Sequence, residues 1–191
     1  MQRTPSAGEA DFAGILTGRC SVITSGTLVC RRRVIEAGMF DEKLSSNAED
    51  FDLWLRLARR GAKINYQKQV LLKYRVRPES LSGSSVQRAR RTVEALRAAG
   101  EKFDLTDAEA AVLRRTIEHA EAELLLETGK AHLLREEFAD ARRNFRAANQ
   151  YYRKTKLKLI DLALAISPKM LVRLFKRQRA RELPFIPTSE L

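Results

Sequence analysis

The run GMFDEKLSSNAEDFDLWLRLARRG, residues 38–61, decides how this chain is read. Phe51, Trp54, Leu55 and Ala58 recur at helical spacing and Gly61 stands where a helix would stop, so the spacing predicts a helix over about 50–61. Glu49, Asp50 and Asp52 cluster immediately before and inside its first turn, next to Trp54. The helix dipole favours carboxylates there by roughly 0.3–1 kcal/mol, which by itself would account for them. The other reading is chemical. A loop brings a carboxylate to a cleft, the helix start fixes its direction, and the carboxylate takes the proton of a hydroxyl. Spacing alone leaves both open.

Working outward, CSVITSGTLVC (20–30) is rich in Val, Ile and Thr and reads as strand and turn around Gly26. RRRVIEAG (31–38) reads as a short helix stopped by Gly38. KINYQ (63–67) and VLLKYRV (70–76) read as strands, and RPESLSGSS (77–85) as a polar loop. Beyond it every signal is helical. A helix from about Val86 to Ala99 ends at Gly100, and a Thr106/Glu109 capping box opens a long one to about Arg135. Others cover Phe138 to about Tyr152 and Leu157 to Ile166, and Pro168 suits the first turn of a fifth. The switch of period near residue 85 predicts an α+β chain: 1–85 with a small incomplete sheet, then an all-α tail, 86–191. The helix at 49–60 should pack on that sheet through Trp54 and Leu57, with the tail covering part of the layer.

From about Thr24 to Ser82 the pieces TSGTLVCRR, GMFDE, AEDFDLWLRLARRG and YRVRPESLS resemble, in order, the second half of the family-2 glycosyltransferases, inverting enzymes with the GT-A fold. The resemblance implies an incomplete GT-A-type acceptor subdomain. It assigns Asp50 as the catalytic base that deprotonates the acceptor hydroxyl, with Glu49 orienting it or the acceptor. It puts Phe40 and Asp41 on the loop lining the acceptor, and Tyr74 and Arg75 in a segment closing near the diphosphate. Arg75 or Arg77 would neutralise phosphate charge there. Trp54 and Arg56 are read as structural, holding the helix. Many relatives carry histidine where this chain has Arg77, which is no metal ligand at neutral pH. The family's nucleotide-sugar-binding first half is not here, nor its cation-holding Asp-x-Asp at a strand end; Asp50-Phe51-Asp52 has the letters at a helix start. The chain is thus expected to be a truncated frame or to pair with a separate donor-binding half, and to be inactive alone. No cofactor is expected on this chain by itself, and Mg or Mn only in the complete enzyme.

In the tail, residues 118–153 resemble one tetratricopeptide unit, with Leu125, Gly129, His132, Phe138, Ala141, Phe145 and Ala148 at its large and small positions. Close helix approach at Gly129 and Ala141, with Phe145 filling the gap, is the physical content. One unit cannot bury its own face, so a hairpin docked on the rest is expected, with a protein-binding repeat as the alternative. His132 reads as a packed residue and His119 as exposed. The terminal KMLVRLFKRQRAR (169–181) mixes apolar and basic residues, and suits either a solvated helix or one at an anionic membrane surface with Leu174 and Phe175 shallowly buried.

The net charge of +12 resides mostly in that tail, because residues 151–181 carry 10 Lys+Arg against 1 Asp+Glu. A patch so local, with few stacking aromatics and no recognition motif, argues against nucleic acid as partner. No apolar stretch reaches the ~20 residues of a membrane span, and the amino terminus does not read as a secretory signal. Cys20 and Cys30 fit neither a redox pair nor a zinc framework and read as small buried hydrophobes. The expectation is therefore a cytoplasmic glycosyltransferase, peripheral at the inner face of the membrane. It would move sugar from a nucleotide-sugar donor to a sugar or lipid-linked acceptor in cell-envelope or polysaccharide synthesis. A noncatalytic helical interaction module and a nucleic-acid-binding protein are the competing classes.

Overall fold

The computed structural model describes residues 10–44, 48–66 and 84–182. The chain divides into two compact units, Met1–Glu121 and Ala122–Leu191, with the division falling inside a helix.

In the first unit, α1 (Phe12–Leu16), α2 (Arg31–Glu36) and α4 (Ser85–Lys102) pack on α3 (Glu49–Arg59), and α5 (Asp107–Leu134) begins here. α1 starts because the Asp11 carboxylate caps it, accepting from Gly14 N–H at 2.6 Å. α3 buries Leu53, Trp54, Leu55 and Leu57, and Leu55 is 0% exposed. Each such side chain contributes about 1.5–3 kcal/mol on leaving water. α4 opposes them with Ala89, Val93, Leu96 and Ala99 on one face. Arg59 closes the unit: its guanidinium lies 3.8 Å from the centre of the Phe12 ring and reaches Glu109 at 2.8 and 3.2 Å.

The second unit joins the end of α5 to α6 (Phe138–Tyr152), α7 (Thr155–Ile166) and α8 (Pro168–Glu182). Its core is Leu133, Ala141, Phe145, Leu157, Leu164 and Val172. The close approach expected at Gly129 is present: a Cβ added there would lie 3.0 Å from two carbons of the Phe145 ring. Arg142 and Arg146 on α6 meet one oxygen of Asp161 on α7 at 2.6 and 2.8 Å.

Among the described residues there is no strand, which corrects the α+β expectation to all-α for these residues. Trp54 and Leu57 do pack inward, but on helices. The segment 20–30 holds a single 3₁₀ turn, Thr24–Gly26. Its β-formers are not packed away: Leu28 is fully exposed, and Ile23 and Val29 are exposed as well. β-propensity measures fit to a half-buried pleated surface, and among the described residues there is none. Residues 63–66 form no strand either, while VLLKYRV (70–76) and most of the loop at 77–85 lie outside the described residues. A GT-A fold needs a central sheet, so the resemblance to family-2 glycosyltransferases is not upheld.

Two smaller readings also change. α4 runs through Gly100 to Lys102, because that glycine makes room for Leu113, whose Cδ2 would lie 2.9 Å from an added Cβ, and does not end the helix. Cys20 is buried as expected, whereas Cys30 is exposed at the start of α2. The backbone N–H groups of Arg33 and Arg32 hold its thiol below the usual range.

Candidate functional site

The three carboxylates at the start of α3 stand in different surroundings. Ala48, the residue before the helix, has no side chain that could cap it. Asp50 turns back instead: its Oδ1 accepts from Phe51 N–H at 2.7 Å, and its Oδ2 from the Thr24 hydroxyl at 3.1 Å. No ion pair is formed by Asp50 among the described residues, and its side chain is half-buried. Two accepted hydrogen bonds leave lone pairs available on a carboxylate, which has about four acceptor sites.

Asp52 is different. It is 6% exposed, with one oxygen on the Arg56 guanidinium at 2.8 Å and the other on Lys102 Nζ at 2.8 Å. Lys102 also holds Asp41 Oδ2 at 2.8 Å. Arg56 continues outward, donating to the Met39 carbonyl at 2.6 Å and to the Ala37 carbonyl. That fork secures a loop whose Gly38 and Met39 both have positive φ, of 88° and 56°. A planar, multiply donating guanidinium suits this clamp better than an ammonium. Phe40, exposed, and Asp41, half-buried, follow directly.

The structure thus gathers Asp41, Asp52, Arg56 and Lys102 into one charged knot and puts Asp50 against Thr24. Glu49 is half-buried in the same turn. Arg75 and Arg77 lie outside the described residues. Beside the knot is a cleft of about 240 Å³ lined by Leu44, Phe51, Asp52, Leu55, Lys102 and Phe103. Trp54 Nε1, buried, has no hydrogen-bond partner among the described residues. Nothing local in the sequence links Lys102 or Thr24 to this cluster, because their partners stand 26 to 61 positions away. Arg56 could have been assigned, standing four residues after Asp52.

The charges make a testable pH profile. The ammonium of Lys102 holds the Asp41 carboxyl below its ordinary 3.8, and Arg59 holds Glu109 below its ordinary 4.5. Arg146, then Arg142, do the same for Asp161. Burial opposes charge on Lys102, but its bonds to Asp41 and Asp52 prevail and raise it above 10.5. A carboxyl depressed by folding stabilises above its unfolded value, and that stability is lost as pH falls through the folded one. A raised amine stabilises below 10.5 and loses it as pH climbs through the higher folded value. Denaturant midpoints should accordingly fall with pH once it drops below 4.5, stay level through neutrality, and fall again above 10.5. A profile flat from pH 3 to 7 would show that these pairs do not form in solution.

In the second unit His132, Glu137 and Asp140 have potential ligand atoms within 4.8 Å of one another. His132 Nδ1 lies 2.5 Å from Glu137 Oε2, and Asp140 pairs with Arg143 at 2.5 Å. Asp140 is thus ion-paired, Glu137 shares a hydrogen bond with His132, and His132 is half-buried at the end of α5.

Comparison of the chain with protein families, with curated proteins and with solved structures finds no match.

Proposed function

We propose that this chain carries the acceptor-activating part of a glycosyl-transferring enzyme, with Asp50 as the general base. The supporting observation is the contrast between Asp50 and Asp52. Two residues apart on one helix start, Asp52 is neutralised by Arg56 and Lys102, while Asp50 is oriented by a hydroxyl and an amide, with no cation on it among the described residues. A carboxylate held in direction yet not ion-paired can accept a proton from an incoming hydroxyl, which then attacks the anomeric carbon of a donor sugar. Glu49, in the same turn, would orient the acceptor, and Phe40 would offer it an exposed apolar face. Asp41, bound to Lys102, serves by holding that loop.

The donor is a nucleotide sugar supplied from another part of the complete enzyme, because Asp50-Phe51-Asp52 is the chain's lone Asp-x-Asp and its second carboxylate is already paired. A divalent cation would belong to that other part. No described helix is long and apolar enough to cross a membrane. We place the reaction at the cytoplasmic face of a membrane, on a lipid-linked or polysaccharide acceptor.

Calorimetry tests the division of labour. Uridine or guanosine diphosphate sugars titrated into this chain should give no micromolar binding, with or without Mg or Mn; a clear isotherm would overturn the acceptor-side reading. A noncatalytic helical interaction module is the second reading. The hairpin of α5 and α6, packed on α7 and α8 around Phe145, favours it.

A further inference from the structure

The fold leaves an apolar stripe uncovered on α7. Leu159, Leu162 and Ile166 are 60%, 55% and 75% exposed. At 100° per residue these three fall within about 60° of arc, on the side away from the buried Leu157 and Leu164. Met170 and Leu174 on α8 are exposed as well, 55% and 52%. Phe175, which the sequence suggested for a lipid contact, instead packs against the core with Leu171. From Leu159 to Ile166 the only charged residue is Asp161, so α7 is apolar on its solvent side as well as its core side. Helices apolar all round belong in a core or in lipid.

Charge identifies what covers this face. Lys156, Lys158, Lys169, Arg173, Lys176 and Arg177 are all exposed. By the same helical geometry Lys156 and Lys158 flank the α7 stripe on its two sides. The single acid of residues 151–177, Asp161, is taken by Arg142 and Arg146. Beside the stripe, a cleft of about 510 Å³ is lined by Arg142, Arg146, Lys158, Asp161 and Leu162 among others; Asp161 offsets part of the positive charge, and the excess left with Lys158 suits a phosphate-bearing headgroup. An apolar stripe rimmed by lysines is the pattern of a helix lying in the headgroup layer.

We propose that the exposed face of α7, continued by Met170 and Leu174 on α8, is a docking surface for an anionic lipid bilayer. Leu159, Leu162 and Ile166 enter the acyl boundary, and the flanking lysines meet lipid phosphates. This sharpens the membrane-face part of the proposed function without resting on Asp50, so flotation and sugar transfer can fail independently.

The test is flotation of the full chain with vesicles of phosphatidylcholine alone or with about 30% phosphatidylserine, at about 0.1 and 0.5 M salt. Binding should require the anionic lipid and largely disappear at the higher salt, where screening shortens to a few ångströms. Leu162→Glu with Ile166→Glu should weaken it at least tenfold, and Lys156→Glu with Lys158→Glu by about fivefold or more per residue. All four side chains are exposed, so the thermal midpoint should not move. Equal binding to neutral vesicles, no binding to anionic ones, or binding indifferent to Leu162→Glu/Ile166→Glu each overturns the proposal. So does a dimer in sedimentation that the same double variant dissolves, which would give the stripe to a second copy. Retention of duplex DNA at physiological salt without flotation would give the basic residues to nucleic acid.

Discussion

Asp50→Asn is expected to lower turnover of the complete transferase by about 100-fold or more, with donor affinity and the thermal midpoint of this chain nearly unchanged. Asparagine keeps the shape, and its carbonyl oxygen can still accept from the Thr24 hydroxyl or the Phe51 amide. What it lacks is basicity, and general-base catalysis is typically worth 10²–10⁴-fold. Asp52→Asn should behave in the opposite way. Lys102 and Arg56 would face a neutral partner at a site 6% exposed, costing about 1–3 kcal/mol of stability, while turnover at temperatures below melting stays close to normal. Kinetics and melts on the two variants separate the roles. If Asp52 proves essential for turnover and Asp50 dispensable, the base lies on the other face of α3 and the orienting role of Glu49 falls with it.

Phe145→Ala should destabilise the second unit by about 3–5 kcal/mol, a large part of the 5–15 kcal/mol that holds an ordinary domain. The ring is 2% exposed and fills the space that Gly129 leaves open on α5. Its removal leaves a hole that neighbours fixed by Leu133, Leu157 and Leu164 can close only in part. The loss should appear as a lower denaturant midpoint and as early proteolysis beyond residue 122. An unchanged midpoint would mean that the hairpin is not held together at this contact.

The positions of the helices were legible because their signals are local. The Thr106/Glu109 capping box forms as written, with Thr106 N–H on Glu109 at 2.9 Å and Glu109 N–H returning to Thr106 at 3.3 Å. Pro168 does open α8, and Gly61, at φ 74°, does follow α3. The error was in the layer. Val, Ile and Thr at 20–30 read as a strand, yet a strand is made by its neighbours, and a single segment carries no information about whether they exist. α1 is not legible in the sequence even with Asp11 as its cap, because five helical residues are too few to show a period. At the candidate site the acidic run was visible, and the distant partner that pairs with Asp52 was not. Asp52 is distinguished from Asp50 by Lys102, fifty residues further along the chain.

That long reach has a consequence for how the protein is made. The contacts that close the first unit join Arg59 to Glu109 and Asp41 to Lys102, separations of 50 and 61 residues. At about 5–20 residues per second, the ribosome needs roughly 2.5–10 s to make the fifty residues between the first pair. Through the first part of that interval Leu53, Trp54, Leu55 and Leu57 of α3 have been made while α4, which packs on α3, has not. The nascent chain therefore presents a greasy helix to whatever waits at the tunnel exit, and a holding chaperone would find its handle there.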